Sequence, residues 1–217
     1  MHLYQTPRIL PLLFPRLTWR VHTEAPVVHL TFDDGPMPGP TDFVLDQLAG
    51  HQARATFFCI GDNVRKHPDT FLRIRQEGHL PANHTFHHLN GWKTGSRRYV
   101  GNIRQCDDIL DMHAGEPRLF RPPYGRLNPF TRPAARDLNG WQMDHRIIMW
   151  DLLSCDYDPK LDVEESLQAL KSGTRPGSIV VFHDSLKAER NLRYLLPRYL
   201  EFLSASGYRM ETIPAGA

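Results

Sequence analysis

The chain reads as an α/β protein made of repeated strand–helix units around a mostly parallel sheet, and three observations predict it. Short apolar or β-branched runs alternate with amphipathic segments from about Ala25 onward. The length of 217 residues supports a sizeable core without forcing a split, so one domain is expected over 25–217, with 1–24 as an N-terminal extension. The polar clusters fall repeatedly just after strand candidates, where barrels gather residues that are distant in sequence.

The elements follow in order. Val27 to Phe32 is an apolar, β-branched run closed by the turn signal Asp33-Asp34-Gly35-Pro36. Further strands are expected at Ala55 to Ile60, His79 to Asn83, Leu119 to Arg121, Arg146 to Asp151, Ser178 to His183 and Tyr208 to Thr212. That makes about seven strands. Between them, Thr41 to Leu48, Pro68 to Glu77, Ser96 to Met112, Pro129 to Leu138, Val163 to Lys171 and Ala188 to Ser206 carry apolar residues at helical spacing. Thr41, Ser96 and Asp162 stand where helix caps would help.

Bulk properties narrow the function classes. The net charge is +2 with basic residues scattered, so no electrostatic case for nucleic acid arises. Cys59, Cys106 and Cys155 are odd in number and far apart, which suits a reducing compartment better than a disulfide framework or a cysteine zinc site. The apolar stretch Ile9 to Phe14 is short, interrupted by Pro11 and without a small-residue cleavage site, so no secretory signal is read and a cytoplasmic protein is expected. No stretch approaches the length of a membrane span.

Chemistry concentrates in two places. Asp33 and Asp34 are adjacent at a strand end, where successive side chains point apart and can take different tasks: one to bind metal, the other to move protons. His84 and His88 are the one histidine pair spaced by four among 12 histidines, and a helical turn would put both on one face. Either signal alone is ordinary, a turn or a chance pair. Together they point to a metal-dependent hydrolase, with two imidazoles and a carboxylate leaving positions open for water and substrate. His87 would point away from that face.

At this point the chain resembles the polysaccharide deacetylases, the NodB-homology enzymes of carbohydrate esterase family 4. The resemblance runs from about Val27 to Ile213 and rests on five motifs in order: Thr31-Phe32-Asp33-Asp34-Gly35-Pro36, His84-Thr85-Phe86-His87-His88, Arg121-Pro122-Pro123-Tyr124-Gly125, Trp150-Asp151 with Asp156-Tyr157, and Val181-Phe182-His183-Asp184. It implies a distorted (β/α) barrel with fewer than eight complete units. It also implies hydrolysis of N-acetyl groups on amino sugars or their chitin-like or peptidoglycan-like polymers. Asp34, His84 and His88 are then metal ligands, for zinc first and for cobalt, iron(II) or nickel as other fits to the same donors. Asp33 is the implied base, His183 the implied acid, and the backbone N–H of Tyr124 an implied oxyanion donor. Arg121 would orient Asp33 and Asp156 would serve His183, with Asp151 and Asp158 as neighbouring alternatives to Asp156.

Some positions depart from the family pattern. Tyr157 stands where many relatives have Trp, and Val181 where they have Leu; both are expected at the acetyl-methyl pocket. Leu80-Pro81-Ala82 replaces the usual approach to the metal motif and is expected to shift the ligand loop. Trp92, after Gly91, is the expected platform for a sugar ring. Two other readings are an O-acetyl esterase or small-amide hydrolase on the same site, and a non-catalytic glycan-binding barrel.

Overall fold

The computed structural model describes residues 2–111, 117–128 and 143–214. The strands are β1 (Val27–Asp33), β2 (Thr56–Cys59), β3 (Leu80–Asn83), β4 (Leu119–Phe120), β5 (Arg146–Ile147), β6 (Leu152–Leu153), β7 (Ile179–His183) and β8 (Arg209–Met210). In space they run β5-β4-β3-β2-β1-β7-β6, with β8 pairing to β1 beside this path, and every pair is parallel. The helices are α1 (Ile9–Leu13), α2 (Pro40–Gly50), α3 (Gly61–Lys66), α4 (Pro68–Gln76), α5 (Ser96–Leu110), α6 (Val163–Gly173) and α7 (Glu189–Ala205). This is a single α/β domain whose seven-strand curled sheet forms a distorted half-barrel, as the alternation and the motifs predicted.

All seven residues of β1 are buried, the result expected for a parallel strand with neighbours on both sides and both faces covered. Phe32 on β1 stacks on Phe57 of β2 at 5.1 Å and on Phe182 of β7 at 6.0 Å, so three adjacent strands share one aromatic layer. Onto this sheet α7 lays Leu192, Leu195, Leu196, Tyr199, Leu200 and Leu203, a buried stripe at three- and four-residue spacing. Asp162 caps α6 as its sequence position suggested, its Oδ1 accepting from the Glu164 and Glu165 N–H groups at 3.0 Å.

Several expectations are corrected. Thr41 lies inside α2, and its hydroxyl donates to Asp184 Oδ2 at 2.6 Å and accepts from the Met37 N–H at 2.7 Å instead of capping. Ser96 opens α5 behind Gly95, with its hydroxyl 3.4 Å from Asn128 Oδ1. Of the strand expected over Arg146 to Asp151 only Arg146–Ile147 forms, as β5, and β6 begins beyond it, because the chain leaves β4 after Ile147 and joins β7 at Leu152. Helices α1 and α3 were not foreseen: α1 has no buried face to mark it and α3 spans six residues, too few for periodicity to register. The helix expected over Pro129 to Leu138 lies outside the described residues.

The opening between β5 and β6 is crossed by the N-terminal segment. Thr18 bridges in parallel to Ile148, and Gln5 in antiparallel to Leu152, while Arg20 bridges to Ser178. Beside that last bridge Gly177 has φ +78, and a Cβ there would fall 1.8 Å from the Val21 carbonyl oxygen, so only glycine permits the approach.

Candidate active site

β1 carries Asp33 to the carboxyl end of the sheet, level with Phe58 of β2 and His183 of β7. Asp34 then leaves the strand at φ 83, so the two neighbouring carboxylates part. Asp33 meets Arg121, whose Nη1 donates to Asp33 Oδ1 at 2.6 Å and to Thr31 Oγ1 at 2.7 Å. The guanidinium is fully buried, donates through Nη2 to the Met149 carbonyl at 3.0 Å and lies 4.1 Å from the Phe58 ring centre. Burial pulls the Arg121 pKa down and the Asp33 charge opposes that pull. An ion pair this dry needs its other donors satisfied, and the backbone carbonyls and Thr31 do that.

The turn after Asp34 is held from below. Asp184 Oδ1 accepts from the Gly35 N–H at 3.0 Å, and a Cβ at position 35 would stand 2.0 Å from Asp184 Oδ2. Burial pushes the Asp184 carboxyl up to about 8, against the hydrogen bonds from Thr41 and Gly35.

His84 and His88 reach Asp34, though not from a helical turn. The segment after β3 is irregular, with Thr85 at φ 63 and His88 at φ 54. Its shape is set by Asn83 Oδ1, which accepts from the Thr85 N–H at 2.8 Å, and by Asn102 Oδ1, which accepts from the His87 N–H at 2.9 Å. These side-chain bonds replace the backbone ladder that a helix would supply. His87 turns to Asn102, its Nδ1 2.9 Å from the amide nitrogen, and stays out of the cluster as its spacing suggested. Pro81 is accommodated inside the sheet: β3 pairs with β2 through Pro81, and its ladder to β4 begins only at Asn83, so the missing N–H costs no bond on that side.

Asp34, His84 and His88 place one ligand atom each within 4.8 Å of one another, with His88 Nε2 3.3 Å and His84 Nε2 3.8 Å from Asp34 Oδ1. The His84 Nδ1–H donates to the Arg121 carbonyl at 2.8 Å, which fixes the tautomer and turns the Nε2 lone pair inward. Burial lowers the pKa of both imidazoles, that of His84 well below its ordinary value, so both are neutral and ready to coordinate near neutral pH. Two neutral imidazoles and a carboxylate fit a divalent metal.

Opposite stands His183, at the end of β7. Asp156 Oδ1 lies 2.6 Å from its Nδ1, and Asp156 Oδ2 accepts from its backbone N–H at 2.8 Å. Burial works against the charged imidazolium, but the Asp156 carboxylate, by charge and hydrogen bond, with Asp34 and Asp33 behind it, prevails and raises the pKa to about 9. The alternatives to Asp156 are engaged elsewhere: Asp151 takes Arg175 at 2.8 Å and Ser178 at 2.8 Å, and Asp158 takes His2 at 2.9 Å.

These groups face one cavity of about 420 Å³. Tyr124 lines one wall, at φ 61 and 62% exposed, its ring 4.5 Å from that of His88. Tyr157 and Val181 line another, with the Tyr157 ring set edge-on to His183 at 5.1 Å. Trp92 is outside this lining: it is 68% exposed and faces the Arg126 guanidinium at 5.3 Å. Trp150, Leu153 and Lys187 line the cavity without having been singled out for it. Trp150 opens the fourth motif, but nothing in the sequence distinguishes Leu153 or Lys187 from ordinary strand and surface residues.

Residues 20–140 match the family model described as polysaccharide deacetylase. A peptidoglycan-N-acetylglucosamine deacetylase of Bacillus cereus is 30% identical over 201 residues, which cover 91% of this chain and 91% of the relative. A chitooligosaccharide deacetylase of Rhizobium leguminosarum bv. trifolii is 33% identical over 158 residues, 72% of this chain and 71% of the relative. The crystal structure of a peptidoglycan N-acetylglucosamine deacetylase superposes with a TM-score of 0.80 at 27% identity, covering 97% of this chain and 96% of that one. A half-barrel with an Asp-His-His cluster at the carboxyl end of its strands, matched over more than half its length, is thus a member of the polysaccharide deacetylase family, the hydrolases of carbohydrate esterase family 4.

Proposed function

We propose that this protein is a metal-dependent N-deacetylase of N-acetylated amino sugars in peptidoglycan-like or chitin-like glycans. The observation that carries this reading is the placement, around one cavity, of the Asp34–His84–His88 cluster between an arginine-paired carboxylate and an aspartate-paired histidine. A glycan-binding barrel would have no use for both proton-handling pairs. A divalent ion held by the three ligands, zinc on the donor set, would polarise the amide carbonyl and lower the pKa of bound water.

The chain's own residues supply the rest. Asp33, held in place by Arg121, takes the proton of the water that attacks the amide carbon. The Tyr124 N–H donates to the developing oxyanion. His183 binds Asp156 through Nδ1, so its Nε2 is the atom that gives a proton to the leaving amine as the C–N bond breaks. Its raised pKa keeps that proton in place at neutral pH. Leu153, Tyr157 and Val181 enclose the acetyl methyl, and Trp92, beside Arg126, offers a face to a further sugar ring.

Metal-loaded protein incubated with chitooligosaccharides and with peptidoglycan fragments is expected to release acetate and leave free amines. Acetylated xylan assayed in parallel separates amide from ester hydrolysis. No acetate from any N-acetyl glycan, with metal bound, would sink the proposal.

A further inference from the structure

The N-terminal segment presents apolar side chains to solvent that nothing in the sheet requires. Leu3, Ile9, Leu12, Leu13 and Phe14 are each at least half exposed, Leu12 at 75%, and α1 buries none of its residues. Isolated exposed leucines are unremarkable, but five large apolar residues within one short segment form a patch that a free surface rarely keeps. The segment is also held out firmly. At one end the Thr6 N–H donates to the Asp151 carbonyl at 2.9 Å and its hydroxyl to the Trp150 carbonyl at 2.7 Å. At the other, the Thr18 N–H donates to the Ile147 carbonyl at 2.9 Å, and Leu17 and Trp19 pack on the core cluster around Ile147 and Met149. Trp19 Nε1 reaches back to the Phe14 carbonyl at 3.2 Å.

Charge selects the partner. Residues 2–23 contain no aspartate or glutamate, and exposed Arg8 and Arg16 flank the apolar tip, with Arg20 beyond. An isologous contact through this segment would bring two basic segments together with no carboxylate in residues 2–23 of either to pair them. An anionic lipid surface accepts both features, since the apolar tip enters the acyl boundary while the arginines meet the headgroups. No helix among the described residues is long and apolar enough to cross a membrane.

We propose that residues 7–16 are an interfacial anchor that seats the protein on an anionic bilayer. Just before the anchor, the Thr6 hydroxyl donates to the backbone carbonyl of Trp150, a residue that also lines the catalytic cavity.

The full chain is sedimented with vesicles of equal parts phosphatidylglycerol and phosphatidylcholine, and with phosphatidylcholine alone. Binding to the anionic vesicles is expected, with little to the neutral ones, and it should fall as salt rises. The double variant Leu12→Glu, Leu13→Glu should lose roughly tenfold or more in partitioning, and Arg8→Gln or Arg16→Gln about fivefold each, the equivalent of about 1 kcal/mol per basic side chain. Metal stoichiometry checks that each variant is folded. The proposal is overturned if the wild-type chain ignores anionic vesicles at low salt, or if the double variant partitions unchanged. It is equally overturned if the wild type is a dimer that this double variant converts to monomer, because the patch then belongs to a second copy.

Discussion

Asp156 shows how one carboxylate can set the working range of the site. It binds both the ring and the backbone of His183, and the imidazolium it holds has a pKa raised to about 9. Since the folded pKa lies above the ordinary value of about 6.5, the stability this pair supplies is complete below that value and is lost as pH rises through about 9. Asp156→Asn should therefore move the alkaline fall of kcat/KM to lower pH, read directly from pH–rate profiles. An unshifted alkaline limb would detach Asp156 from the acid. Gly35 makes a second residue-scale case: Gly35→Ala puts a methyl where the Asp184 carboxylate stands, so the turn carrying Asp34 must move. Calorimetry should show metal affinity falling roughly 10–100-fold, the range for losing support behind a ligand. Asp33, Asp34, His84, His88, Arg121 and His183 were legible because each sits in a motif at a strand end. Asp156 was legible only as one of three acids, since choosing it from Asp151 and Asp158 requires knowing that Arg175 and His2 occupy the others.

At the scale of elements, β1 was the plainest reading, because a strand buried on both faces is mainly apolar and Val27, Val28, Leu30 and Phe32 mark it even though His29, Thr31 and Asp33 are buried with them. Phe32, between Phe57 and Phe182, is the keystone of that layer. Phe32→Ala should cost about 3–5 kcal/mol of unfolding free energy in urea, by lost burial and the cavity left behind. The ligand loop was read correctly for its partners and incorrectly for its conformation. A spacing of four suggested a helix, whereas Asn83 and Asn102 shape the segment by accepting from the Thr85 and His87 N–H groups, side-chain bonds that no periodicity records. The break between β5 and β6 escaped for a similar reason: the apolar run continues through Met149 and Trp150, while the pairing partner changes from β4 to β7.

For the molecule as a whole, the half-barrel is completed by residues outside the motif-bearing region, and the close approach of Val21 to Gly177 belongs to that closure. Gly177→Ala, at φ +78 with a carbonyl oxygen in the way, should destabilise by at least about 1–3 kcal/mol, measured as a lower urea midpoint. Metal couples to the fold in the same global sense. Ligands that bind only the native state stabilise it by mass action, so removing metal with a chelator should lower Tm, and His84→Ala should abolish the difference between loaded and stripped protein. The central claim is a division of labour between adjacent carboxylates, Asp34 for metal and Asp33 for protons. Acetate release by Asp33→Asn, measured on protein shown to carry its full complement of metal, tests it most directly. Turnover should fall by about 10²–10⁴ while the metal stays bound; turnover near that of the wild type would contradict the claim.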